Sequence, residues 1–477
     1  MSHVAIIGGG IAGLATAFYL QEKSRKSGQA IDYTLIESDA RFGGKIVTKA
    51  VDGFVIEGGP DSFVTMKPHG SQLCRDLNLD DEIIPTNDHK RDIFVLKSGN
   101  LVRFPGGLRL TIPTEFVPFA TSNLISPLGK LRMGLDVVIP PRQESSDESL
   151  ASFIRRRLGT EALDKIAGPM MAGIYVADPE KLSIQSTFPQ FVEMERQHGS
   201  LIKAMQQAKK KAPPRPGNGR SKAMFNSLKP GMTRLVEALV SRLDGELCLG
   251  QRVTALKRLP TGFEIKLDNP HSEPITAEAV VLAIPAYAAA DLVMPFIPEL
   301  SQLLRQVRYL STATVSLGYR RADVNDQHDF HGFGFMIPKS EHRRILACTW
   351  SSTKFDERAT GDDVLLRVFV GGDEHEHLVE TLSDEALLQV AQTELAEIMG
   401  LRAEPVVQQI FRWVKGNPQY DVGHLDRVAQ MEALAEQVPG LYLTGSAFRG
   451  IGIPDCVKSA LETVDQIMQQ FDRPRVT

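Results

Sequence analysis

The chain has 477 residues, 42% of them hydrophobic and 23% charged, with a net charge of −4. These values lie near the averages of folded soluble proteins and exclude fibrous, disordered and membrane-bundle classes, while the length predicts two or three domains. The slight acidity argues against a general nucleic-acid binder, so no nucleic-acid partner is expected.

Met1 to His3 lead straight into an apolar run with no basic stretch or cleavage site, and charges such as Lys130 and Asp136 interrupt every long apolar window. A cytoplasmic location is expected, with peripheral contact to a membrane left open. Cys74, Cys248, Cys348 and Cys456 are far apart and form no C-x-x-C pair. No disulfide framework and no metal site is expected, and the scattered histidines read as structural.

Val4 to Ile7 is a short apolar run of the kind a buried parallel strand shows. Gly8, Gly9, Gly10, Ile11, Ala12 and Gly13 follow, and Leu14 to Leu20 opens a helix that is apolar on all sides. This is a strand, G-x-G-x-x-G, helix unit. Gly8 allows the tight turn, Gly10 lets the backbone approach a pyrophosphate, and Gly13 lets helix and strand pack closely. The next strand, Tyr33 to Ile36, ends at Glu37, whose carboxylate can accept hydrogen bonds from ribose hydroxyls. Its spacing from the glycines is a few residues longer than the usual ~20. The unit predicts dinucleotide binding without separating NAD from FAD.

Residues 67–227 read as helical and Pro-interrupted, with apolar patches such as Phe116 to Phe119. Leu228 to Leu243 reads as a helix. Gln251 to Leu256, Phe263 to Leu267 and Ala279 to Ile284 read as strands, as do Thr314 to Tyr319, Arg344 to Trp350 and Val364 to Val370. Asp384 to Met399 is a helix. Leu441 to Thr444 is strand-like and precedes a glycine turn. Pro454 then suits the first turn of a helix on which Val457, Ala460, Leu461, Val464, Ile467, Met468 and Phe471 keep a helical spacing. The positive end of that helix can stabilise developing negative charge, that of a reduced flavin if the bound dinucleotide is FAD.

Several strings also carry a resemblance. The segment Ser38 to Lys45, with Arg41, Gly43 and Gly44, resembles the R-x-G-G-[RK] segment of the amine-oxidase-like flavoprotein superfamily. Gly58, Gly59, Pro60 and Asp61 resemble the loop that superfamily passes beside the isoalloxazine, and Leu441 to Asp455 resembles its closing flavin motif. The resemblance decides for FAD as cofactor. It implies FAD contacts from Gly8 to Gly13, Glu37, Ser38, Gly44, Lys45, Gly58 to Asp61, Val253, Trp413, Gly445, Ile453, Pro454 and Asp455. The implied fold is α/β, with a Rossmann-type FAD-binding domain (1–66, 228–299 and 405–477), a helical lobe forming part of the substrate cavity (67–227) and a mixed-sheet substrate domain (300–404).

Glu161 to Ser183, Thr187 to Phe191, Trp413 to Tyr420 and Gly450 to Cys456 are similar to the porphyrinogen oxidases of haem synthesis, most of all the soluble bacterial branch. That resemblance implies repeated hydride removal from a meso carbon of a porphyrinogen, coproporphyrinogen III or protoporphyrinogen IX, with dioxygen as acceptor and hydrogen peroxide released. It puts Gly173 in the substrate cavity and a propionate-pairing cation near Arg91, Lys97 and Arg103, of which Arg91 is the candidate. Amine oxidation or carotenoid desaturation on the same scaffold, and a non-catalytic flavin-binding role, are the alternatives. Between Arg196 and Val236 the chain has ten Lys or Arg and no Asp or Glu, including Lys209, Lys210 and Lys211. This run is either a solvated loop or a positive surface that gathers an anionic substrate.

Overall fold

Alternate residues of the first strand, Ser2–Ile7 (β1), leave for opposite sides. Val4 and Ile6 enter one apolar core, and Ala5 and Ile7 enter another. A strand buried on both faces belongs inside a parallel sheet. In the computed structural model, which describes residues 2–105, 108–109, 112–113, 121–211, 223–269 and 271–472, β1 is the central strand of five. The order is Glu246–Leu249, Ile31–Glu37 (β2), β1, Ala279–Leu282 and Leu441–Leu443, all parallel.

The helix Ile11–Ser27 (α1) and the C-terminal helix Ile453–Asp472 cover one face of this sheet together with Thr233–Val240. Val457, Ala460, Val464 and Ile467 are buried there, and Leu461, Met468 and Phe471 pack at the margin. The other face is covered by the three-stranded sheet Val253–Leu259, Gly262–Leu267 and Ile275–Ala277, and by the helices Ala286–Val293, Pro298–Arg305 and His424–Glu436. Each buried Leu, Ile or Val contributes roughly 1.5–3 kcal/mol before chain entropy is charged.

A second sheet of seven strands runs in the order Val407–Pro418, Tyr309–Tyr319, Val364–Gly371, Ile345–Trp350, Gly334–Met336, Ile93–Lys97 and Asn100–Arg103. Its pairings are antiparallel except for the one between Gly334–Met336 and Ile93–Lys97. The helix Asp384–Met399 packs on this sheet through Leu387, Val390, Ala391 and Leu395. The helices Leu150–Arg157, Gly168–Tyr175, Pro189–His198 and Leu201–Lys211 build a third core around Phe153, Ile166 and Phe191. The architecture is α/β with a helical lobe.

Three details differ from the sequence reading. The hairpin Ile93–Lys97 and Asn100–Arg103, inside the stretch read as helical, adds two strands to the edge of the seven-stranded sheet. Its two-residue turn, Ser98-Gly99, has positive φ at both positions, the geometry that matches strand twist in tight hairpins. Leu228 ends the strand Phe225–Leu228, and the following helix is confined to Thr233–Val240 because Pro230 and Gly231 (φ +102°) turn the chain first. Val407–Pro418 lies along Tyr309–Tyr319 in the seven-stranded sheet, whereas the sequence reading grouped it with the dinucleotide unit. Phe116 to Phe119, and residues 212–222 of the basic run, lie outside the described residues.

Candidate active site

The glycine turn after β1 is set by what a side chain would strike. Gly8 has φ +107°, and a Cβ there would sit 2.6 Å from the Ala283 carbonyl oxygen. A Cβ on Gly13 would lie 1.8 Å from the Gly8 carbonyl oxygen. At Gly10 nothing lies within 4 Å of that position. Gly10 caps α1 without any side-chain hydrogen bond, so the N–H groups of Ile11, Ala12 and Gly13 open a helix whose positive end carries no acid in its first turn.

Two other segments approach this end without side chains. Gly43 donates its N–H to the Gly9 carbonyl at 2.8 Å, and a Cβ on Gly44 would meet only the Gly10 Cα. Gly445 has φ +108° and faces only the Ala12 Cβ. A slot bounded by backbone at Gly10, Gly44 and Gly445, over a helix N-terminus, fits a pyrophosphate.

Glu37, at the end of β2, is buried and accepts the Gly9 N–H on Oε2 at 2.6 Å. Its Oε1 accepts the Asp39 N–H at 2.8 Å and the Ser38 hydroxyl at 3.2 Å. Glu37 therefore braces the glycine turn, and a carboxylate's remaining lone pairs leave room for ribose hydroxyls. Val253 is brought to the same end of β2 because Gln251 donates its N–H to the Glu37 carbonyl at 2.9 Å.

The segment Gly58 to Asp61 ties the backbone at Lys45 and Val47 to the seven-stranded sheet. The Gly58 carbonyl accepts from Trp413 Nε1 at 2.9 Å, Thr314 Oγ1 at 3.1 Å and Arg367 Nη2 at 3.3 Å, donors on three neighbouring strands of the seven-stranded sheet. A Cβ on Gly59 would lie 1.8 Å from the Lys45 carbonyl oxygen. Asp61 follows Pro60 and takes Lys354 Nζ at 2.7 Å. Burial opposes ionisation of Asp61, but Lys354 and Arg367 outweigh it and hold the carboxyl well below the usual range. Arg367 Nε is buried without a hydrogen-bond partner. The Lys45 ammonium donates to the Gly416 carbonyl, and burial pulls it down to about 8.

The loop 445–452 leads into the helix Ile453–Asp472, with Pro454 in its first turn. Both oxygens of Asp455 lie 2.7 Å from Lys67 Nζ. Gly450 is required there because its Cβ would strike the Asp455 side chain at 2.4 Å.

Gly173 is exposed inside the helix Gly168–Tyr175, with open space where a side chain would be. That helix ends at Val176 in the left-handed region, φ +55°, a strained conformation for a β-branched residue. Arg91 is exposed just before the edge hairpin, and Lys97 and Arg103 are engaged by the Asn123 carbonyl and Asp92. Hydrogen bonds and backbone contacts link the three glycine segments, Glu37, Asp61 and Trp413. Sequence reasoning missed Arg367, Lys354 and Thr314. A lone arginine inside Val364-Leu365-Leu366-Arg367-Val368-Phe369-Val370 was the available signal, since a buried charge needs a partner.

A parallel sheet with a side-chain-free slot at its first helix, closed by a glycine loop from the far end of the chain and set against a mixed sheet, defines a dinucleotide-binding protein of the Rossmann class. More particularly, the chain belongs to the flavin containing amine oxidoreductase family, whose profile matches residues 11–468. It is 36% identical to a coproporphyrinogen III oxidase of Bacillus subtilis (strain 168), over 98% of both chains. It is 30% identical to a chloroplastic protoporphyrinogen oxidase of Oryza sativa subsp. japonica, covering 97% of this chain and 87% of that one. A crystal structure from Exiguobacterium sp. 255-15, provisionally named a protoporphyrinogen oxidase, superposes with a TM-score of 0.85 at 33% identity, covering 98% of this chain and 99% of that one. A reduced UDP-galactopyranose mutase shares the fold alone, with a TM-score of 0.70 at 12% identity, covering 100% of this chain and 97% of that one.

Proposed function

We propose that the chain carries out the six-electron oxidation of coproporphyrinogen III to coproporphyrin III in haem synthesis, as three two-electron cycles, with dioxygen as acceptor and hydrogen peroxide as by-product. The observation that carries this reading is the 36% identity kept over 98% of both chains with the Bacillus subtilis coproporphyrinogen III oxidase. When bound, FAD supplies the hydride acceptor, so the chain needs no strong nucleophile of its own. Gly8 to Gly13 and Gly44 would hold the pyrophosphate, with the Lys45 backbone alongside and its ammonium turned to the Gly416 carbonyl. Glu37, Ser38 and Val253 hold the ribose and adenine end. Gly58 to Asp61, Trp413, Gly445 and Ile453 to Asp455 frame the ring. In this reading 1–66, 228–299 and 405–477 supply the cofactor domain, Val407–Pro418 contributing Trp413 from its place at the edge of the seven-stranded sheet. Gly173 lines the substrate cavity and Arg91 pairs with a propionate.

The test is anaerobic mixing of the yellow protein with each porphyrinogen while flavin bleaching is followed. Coproporphyrinogen III should bleach it with the higher kcat/KM, and oxygen uptake should reach about three per porphyrin if each cycle is two-electron. Failure of both porphyrinogens would overturn the reading. Faster bleaching by protoporphyrinogen IX would favour the second reading, for which the Oryza relative speaks.

We place the enzyme in the cytoplasm. No helix among the described residues is long and apolar enough to cross a membrane. Leu128, Leu131, Leu135 and Val138 are 78%, 66%, 45% and 71% exposed at helical spacing, which supports peripheral membrane contact.

A further inference from the structure

The loop 445–452 is held by two stacked rings that lie outside the cofactor motifs. Tyr420 and His424 are buried, and their ring centroids are 4.1 Å apart with planes 14° from parallel. The Tyr420 hydroxyl donates to the Ser446 carbonyl at 2.7 Å and accepts the Gly450 N–H at 2.8 Å. His424 Nε2 lies 2.7 Å from the Phe448 carbonyl. A carbonyl only accepts, so Nε2 carries a proton, while Nδ1 is buried without a partner and burial disfavours a second proton on the ring. The contacts fall on residues 446, 448 and 450, between Gly445, which faces Ala12 at the start of α1, and Asp455 at the start of the C-terminal helix.

The rings are in turn tied to the parts of the molecule away from the parallel sheet. Ser183 of the helical lobe donates its N–H to the Tyr420 carbonyl at 2.8 Å, and Asp147 accepts the Gly423 N–H at 2.8 Å. Arg308, at the foot of Tyr309–Tyr319, grips both oxygens of Asp421 at 3.0 and 2.9 Å. A bidentate arginine and two backbone bonds thus surround the ring pair and restrict its movement.

We infer that Tyr420 and His424 are positioning residues for the oxidation, setting the loop 445–452 against the flavin from an anchor in the substrate-side lobe. This rests on the proposed reading that the loop faces FAD. Neither residue touches the reacting atoms. Their hydrogen bonds fix where the loop backbone and the helix end behind it stand, and those fixed dipoles act on the reduced flavin.

Tyr420→Phe keeps the ring stack and removes both hydroxyl hydrogen bonds. His424→Gln keeps a donor for Phe448, whereas His424→Leu does not. In the FAD-loaded full chain, Tyr420→Phe and His424→Leu should each weaken FAD binding roughly tenfold. Both should also shift the flavin midpoint potential and the visible absorption band, and His424→Gln should restore both readouts. Phe153→Leu, in the helical lobe core, lowers thermal stability without moving the potential. Should Tyr420→Phe fail to fold, the His424 pair carries the test by itself. Wild-type affinity and potential in Tyr420→Phe, or identical behaviour of His424→Gln and His424→Leu, would reduce the rings to packing and overturn the inference. A wild-type protein that retained no FAD would sink the reading of the site, and the inference with it.

Discussion

The glycine turn after β1 and the joint at Gly58 to Asp61 both bring backbone to the proposed cofactor, but they are held in opposite ways. The turn is held by missing side chains and by Glu37, mostly within one β-α-β unit, with Ala283 from the adjacent strand end closing over Gly8. The joint is held by side chains that are present, Thr314, Lys354, Arg367 and Trp413, each at least 250 positions further along the chain. Local steric demands tolerate no change of shape. A remote polar joint can lose one member and keep the others, so graded losses are expected there.

The largest effect tests the steric side. Gly13→Ala would push a Cβ to 1.8 Å from the Gly8 carbonyl oxygen, and at least about 3 kcal/mol of stability should be lost, read as failure to purify a folded yellow protein. Gly10→Ala sharpens the contrast, because that Cβ meets nothing within 4 Å. Its melting temperature should match wild type while its FAD affinity falls. A normal Gly13→Ala protein would break the comparison.

Arg367→Met tests the polar side. Removing one partner from a buried charged cluster costs about 3 kcal/mol, measured by denaturant unfolding, while Lys354 still neutralises Asp61. The unfolding transition should stay cooperative. Loss of all folded protein would mean that the joint is no more tolerant than the turn.

Next in size is a pH effect at His424, whose burial lowers it to about 4. Between that value and the unfolded ~6.5 the unfolded chain binds the extra proton, so this contribution is complete above pH 6.5 and is lost as pH falls towards 4. At pH 5 the loss is on the order of 2 kcal/mol. Glu57 works against it in the same window. Burial, only partly offset by Arg358, Thr48 and Met232, pushes its carboxyl up to about 7, so its contribution is present at low pH and lost as pH rises through 7. The difference between wild type and His424→Gln, measured at pH 5 and pH 7.5, isolates the histidine. An identical pH dependence in the two proteins would show that His424 does not titrate this way.

The smallest effect concerns the basic run. Lys209 and Lys210 are exposed on the last turn of the helix Leu201–Lys211. Changing Lys209, Lys210 and Lys211 to Gln should alter stability by less than about 0.5 kcal/mol. It should narrow the preference for the tetra-anionic substrate at low salt, and the remaining gap should fade near ~0.15 M. An unchanged salt dependence would make the run a solvated surface.

The residue pattern alone determined the β1–turn–α1 unit, the strand ending at Glu37 and the C-terminal helix after Pro454. Steric exclusion at glycine, twofold and 3.6-fold apolar periodicity and helix-start chemistry act over a few residues, so they are visible in a linear string. Even the hairpin at Ser98-Gly99 was legible in principle, since a two-residue positive-φ turn between apolar runs is a local signal. Only the tertiary structure decided that Val407–Pro418 joins the seven-stranded sheet, that Arg367 and Trp413 meet on the Gly58 carbonyl, and that Tyr420 and His424 grip the loop 445–452. A buried arginine, tryptophan or histidine announces that it needs a partner. Which partner it finds depends on strand order and sheet packing, and those follow from burial summed over the whole chain.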